Sequence, residues 1–279
     1  LGPAPAPRPP APPRPPAPPP QADQARASAD RTRALALEVR DDGAVEADLW
    51  RGEGEQLQHT STMAAARAVA DPLTGEPAQT GDDAADALAG VVAAMAAGSA
   101  TGTGEALAAH AIGVVLVPPA AEGLDSARTE LVARLDATPG LARVTEHPSG
   151  VIWRVATDGR DSAAQAIARL TLVDHEGTVL GPLPADPVGA SATIPSGPAG
   201  RTLVLAERTD PDWHATIDGV ALAPTASDWR QAFVVPPGSG ELRLTHAPPL
   251  RLPWLIAQVV VIGAVALLAI PIRRRREVE

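Results

Sequence analysis

The chain has no cysteine, tyrosine, lysine or asparagine, and its aromatic side chains are five Trp and the single Phe233. Without Cys there is no disulfide framework, thiol nucleophile or Cys-ligated zinc. Without Asn there is no N-glycosylation acceptor. All 23 basic residues are therefore Arg, set against 33 Asp and Glu for a net charge of −10. Such an acidic balance argues against nucleic acid as a partner, because phosphates require a basic surface.

What is present divides into segments. The length of 279 residues predicts one or two domains, and an apolar content of 45% is enough to bury a core. Residues 1–21 are rich in Pro and Ala, lack most of the N–H groups a hydrogen-bonded ladder needs, and are expected to form an extended linker.

Residues 22–157 read as a first folded unit. Leu35, Leu37 and Val39 alternate with other residues, Asp41, Asp42 and Gly43 supply turn chemistry, and Val45, Ala47 and Leu49 alternate again, which predicts a hairpin. Asp82 and Asp83 open a helix carrying Leu88, Val91, Val92 and Met95 at helical spacing, and Gly98 closes it. A second helix near 104–110 leads into an apolar strand at 112–117. A third, capped by Asp125 or Ser126, carries Leu131, Val132 and Leu135 before a strand at 151–155. Helices alternating with strands imply an α/β layer domain.

Residues 160–250 change character to short strands separated by turn signals. Residues 169–173 and 178–180 flank the connection 174–177, and 202–206 and 213–217 are strand-like. Asp218-Gly219 is a strong two-residue hairpin signal, and 229–235 and 241–245 follow. This predicts an all-β, sandwich-like domain.

Residues 252–272 are an uncharged run which as a helix would be about 31 Å long, matching a bilayer core. Trp254 stands near one end and Arg273, Arg274, Arg275 and Arg276 follow the other, so the expectation is a C-terminal transmembrane helix with residues 273–279 in the cytoplasm. On that expectation residues 1–250 are extracytoplasmic, and something upstream, either a cleaved signal peptide or earlier spans of a longer chain, exported them. The lipid bilayer is then a partner. The predicted fold class is an α/β layer domain, an all-β sandwich-like domain and one C-terminal transmembrane helix.

Few motifs carry chemistry. Asp210-Pro211-Asp212 has the spacing of a two-carboxylate metal clamp, with His214 close by, but the same residues build a turn between strands. The six His include no HExxH, no Ser has Gly at both flanking second positions, and the glycine-rich stretch 98–104 has no Lys to reach a phosphate. Trp213 and Trp229 are candidates for stacking on sugar rings, or else core residues. No catalytic residue is assigned, and no cofactor is expected.

The runs 203–224 (LVLAERTDPDWHATIDGVALAP) and 228–246 (DWRQAFVVPPGSGELRLTH), with the Trp-containing apolar run and Arg cluster, resemble the C-terminal end of large actinobacterial membrane glycosyltransferases of family two. The runs 106–119 and 135–155 are similar to the segment before it, so the likeness covers residues 22–276. It implies that catalytic carboxylates lie upstream and that this segment is a non-catalytic accessory of cell-envelope glycan assembly. Its partners would be the upstream transmembrane bundle of the same chain and cell-envelope glycan or a lipid-linked sugar. Two alternatives stand beside it: a free-standing type I surface protein, adhesin or wall-contacting receptor, on a Pro-rich stalk, and an enzyme using Asp210, Asp212 and His214 around a metal.

Overall fold

The computed structural model describes residues 30–50, 67–70, 82–98, 101–157, 167–247, 256–263 and 265. The expected linker at 1–21, the anchor residues Trp254 and Arg273 to Arg276, and most of the apolar run at 252–272 lie outside them.

The first unit begins with a hairpin, β1 (Arg33–Val39) and β2 (Val45–Trp50), in antiparallel register from Ala34 opposite Trp50 to Val39 opposite Val45. Gly43 takes φ +84°, the left-handed conformation that its turn requires and that a Cβ disfavours. β3 (Arg67–Ala70) adds to the outer edge of β2. Helix α1 (Asp83–Ala97) starts where the Asp82 carboxylate accepts the N–H groups of Ala84 and Ala85, and stops at Gly98 with φ +69°. α2 (Thr103–Ala109) and β4 (Ile112–Val117) follow, then α3 (Asp125–Asp136), β5 (Leu141–His147) and β6 (Gly150–Val155). Asp125 is the first residue of α3 and Leu124 holds the cap position without a side-chain hydrogen bond, so neither Asp125 nor Ser126 caps this helix.

These strands form one six-stranded sheet in the order β3-β2-β1-β4-β6-β5. The expected α/β layer is corrected here, because the sheet is antiparallel at every pairing except β1 with β4. Strands delivered as hairpins must pair antiparallel, so the alternation of helix and strand in the sequence does not become a parallel sheet. The helices pack on the sheet face that carries Leu35, Leu37, Ala47, Val115, Val117 and Trp153, where Leu88, Val92, Leu107, Leu131 and Leu135 complete one core.

The second unit is all antiparallel strand. One sheet has the order β13-β14-β10-β7-β8 and contains β7 (Leu170–Val173), β8 (Val179–Pro182), β10 (Arg201–Arg208), β13 (Pro224–Ser227) and β14 (Arg230–Val235). The other has the order β12-β11-β15-β9 and contains β9 (Ala190–Ile194), β11 (Trp213–Ile217), β12 (Val220–Ala221) and β15 (Gly240–His246). Leu170, Leu203, Leu205 and Phe233 from the first meet Ile194, Trp213, Ala215, Leu242 and Leu244 from the second in a common core, a sandwich-like arrangement. Asp218 (φ +50°) and Gly219 (φ +81°) make the tight turn from β11 to β12.

The chain is thus mostly β-sheet, with short helices. No helix among the described residues is long and apolar enough to cross a membrane, which corrects the expected transmembrane helix. The helical residues described there are 256–263 and 265. The continuous part reaches about 12 Å, under half of a hydrocarbon core. Its apolar side chains Ile256, Val259, Val260, Val261 and Ile262 are 57–69% exposed.

The two units meet through a buried ionic cluster. Arg33, the first residue of β1, donates to the carbonyls of His110 (2.9 Å) and Ala206 (2.8 Å) and to the carboxylate of Glu207 on β10. Arg169 donates through Nε to the same carboxylate oxygen at 2.9 Å and to the carbonyls of Asp186 and Val188, each at 2.6 Å. Burial lowers the pKa of Arg33, Arg169 lowers it further, and the Glu207 carboxylate opposes both. Around this cluster Arg208 pairs with Asp82 at 3.1 Å, and His110 stacks on Trp229 with ring centroids 4.3 Å apart.

Candidate functional site

The turn between β10 and β11 crosses from one sheet to the other. Asp210 organises it: its Oδ1 accepts the N–H of Asp212 at 2.8 Å, and its carbonyl accepts the N–H of Trp213 at 3.1 Å. The buried Gln231 accepts the N–H of Asp210 at 3.1 Å and donates to the Ala232 carbonyl, so β14 fixes the start of the turn. The N–H of Ala247, just beyond β15, donates to the Asp212 carbonyl at 3.0 Å and fixes its end.

A cleft of about 710 Å³ opens beside this turn, within the size range of small-molecule sites. Thr209, Asp210, His214, Thr216, Thr225 and Gln231 line it with polar atoms, while Pro211, Leu222, Pro224 and Phe233 give it apolar walls. The polar side chains come from the turn, from β11 in one sheet and from β13 and β14 in the other, and the pairing of β13 with β14 sets the spacing of Thr225 and Gln231.

Asp210 and Asp212 stand together in this turn, and the histidine beside them is His246 rather than His214. One ligand atom from each of Asp210, Asp212 and His246 lies within 4.8 Å of the others. β15 pairs Trp213 directly opposite His246, so both side chains leave the same face, whereas His214, one position along the strand, leaves the other. His214 is exposed and belongs to the cleft. The sequence could not reveal His246 because its proximity depends on a strand pairing with no local signature.

The two tryptophans are placed unequally. Trp213 is 3% exposed, with the His246 ring centroid 4.8 Å from its own at an interplanar angle of 66° and the Arg169 guanidinium 5.8 Å from its ring centroid, so it is a core residue at the cleft wall. Trp229 is half-buried, and His110 covers one face. In the glycine-rich stretch Gly104 is the second residue of α2, where a Cβ would lie 2.0 Å from the Ala156 carbonyl oxygen; the glycine is required by packing.

Compared with models of protein families, with curated proteins and with solved structures, the chain matches none, and nothing in those comparisons identifies a glycosyltransferase segment.

Proposed function

We propose that the chain is a non-catalytic accessory module that holds a hydroxyl-rich ligand, cell-envelope glycan or the sugar of a lipid-linked precursor, in the cleft beside β11. The observation that carries this reading is the cleft lining: threonine hydroxyls, an amide, an imidazole and one carboxylate, supplied by the turn and by strands of both sheets, stand over apolar walls. Sugars combine hydroxyl groups with apolar C–H faces, and such a lining meets both. A carboxylate half-engaged in its own turn, beside neutral donors and acceptors, suits an uncharged polyol better than an anion.

The test is affinity electrophoresis of the full chain through gels containing solubilised envelope polysaccharide. Ala221 is exposed and lines the cleft, so Ala221→Gln introduces a longer uncharged side chain there without touching the core. The wild type is expected to be retarded and Ala221→Gln to migrate at least five-fold closer to its free mobility. Equal retardation of both, or none of the wild type, contradicts the reading.

A further inference from the structure

We infer that Asp210, Asp212 and His246 form a binding site for a divalent transition-metal ion of the zinc type, a site that shares Asp210 with the cleft and is measurable without any glycan. Two close carboxylates alone would not suffice, since exposed acidic groups at a turn are common. The second observation is His246. Its side chain is only 4% exposed, and its Nε2 is buried without a hydrogen-bond partner. That nitrogen lies 3.4 Å from Oδ2 of Asp210, within ion-pair range but without hydrogen-bonding geometry. A buried polar nitrogen left unpaired costs free energy, and a metal ion would remove that cost by taking the lone pair.

The geometry fits such an ion. With ligand bonds near 2.0–2.1 Å, neighbouring ligand atoms of a tetrahedral centre stand about 3.4 Å apart, which is the spacing of His246 Nε2 and Asp210 Oδ2. Asp210 can serve both roles because its Oδ1 is spent on the Asp212 N–H while Oδ2 faces the imidazole. The third ligand, on Asp212, lies within the 4.8 Å that spans the group and needs only a small side-chain movement to close. The inclined contact between the Trp213 and His246 rings holds the imidazole in place.

The donor set selects the metal. One imidazole nitrogen with two carboxylate oxygens favours Zn²⁺, Co²⁺ or another first-row divalent ion, whereas Ca²⁺ and Mg²⁺ prefer shells made of oxygen. Two carboxylates also balance the charge of a divalent ion beside a neutral imidazole.

The experiment is equilibrium dialysis of the chelator-treated full chain against ZnCl₂, with Co²⁺ absorption spectra as a second readout. One Zn²⁺ per chain is expected, with Asp212→Asn and His246→Gln each weakening binding at least ten-fold and His214→Gln leaving it unchanged. Asp212→Asn keeps the shape of the turn, so it remains informative if His246→Gln does not fold. Co²⁺ bound by the wild type should give the intense visible bands of a four-coordinate centre, and Asp212→Asn should lose them. No Zn²⁺ bound by the wild type, or equal affinity in Asp212→Asn, overturns the assignment and leaves Asp210 and His246 as an ion pair only.

Discussion

The guanidinium groups of Arg33 and Arg169 converge on a single oxygen, Oε1 of Glu207, with all three side chains at least 96% buried. One cation comes from the mixed sheet and the other from the start of the sandwich-like unit, so the shared acceptor joins the two units.

Removing the charge of Glu207 leaves two buried cations facing each other. Glu207→Gln is expected to destabilise the chain by about 3–5 kcal/mol, whereas replacing the cluster together by Arg33→Met, Arg169→Met and Glu207→Leu should cost much less. Denaturant unfolding of the two variants checks this, and a triple variant as unstable as Glu207→Gln would contradict it.

Arg201 is buried and donates to four carbonyls, those of Pro195 (2.6 Å), Pro198 (3.0 Å), Pro236 (3.2 Å) and Gly238 (2.6 Å). A planar fork can serve all four, and an ammonium group cannot. Arg201→Lys should therefore lower the stability by about 2–3 kcal/mol in the same unfolding assay.

Glu38 faces Glu46 across the first hairpin, with Asp48 close by. Burial, then Asp48, then Glu46 raise its pKa. A carboxyl whose folded pKa lies above its unfolded value favours folding most when protonated, and that contribution is lost as pH rises through the folded pKa. Glu38→Gln is thus expected to raise the melting temperature at pH 7 and to lose its advantage below about pH 4. Because the side chain is largely exposed, the gain should be about half a kcal/mol or less. Thermal scans at both pH values measure it.

Gly104→Ala should be costly although alanine is the better helix former. Its Cβ would overlap the Ala156 carbonyl oxygen at 2.0 Å, and the Ala156 backbone must then move. A loss of about 2 kcal/mol or more is expected from such overpacking, against a gain of about 0.5–1 kcal/mol for Gly90→Ala inside α1, where the space is open.

The turns and caps were legible in the sequence because their chemistry is local. The caps that Asp82 and Gly98 form on α1 reach backbone atoms within four residues, and the Asp218-Gly219 turn needs only two adjacent residues that accept positive φ. β5 was not legible, since nearly all of its residues are exposed and no alternation marks it. β9 carries its alternation on Ala190 and Ala192, too small to stand out in a chain rich in alanine. The sheet's mixed order is not legible, because helix-strand alternation says nothing about which strands arrive as hairpins. The cluster of Arg33, Arg169 and Glu207, like His246 beside Asp210, joins residues far apart in the chain, and only strand pairing brings them together.

The most direct test of the binding role is an amide chemical-shift titration of the ¹⁵N-labelled chain with size-fractionated envelope oligosaccharides. Saturable shifts at Thr209, His214, Thr216, Thr225 and Gln231, with Leu88 and Val92 unmoved, are the predicted result. An unchanged spectrum, or shifts that avoid the walls of this cleft, would contradict it.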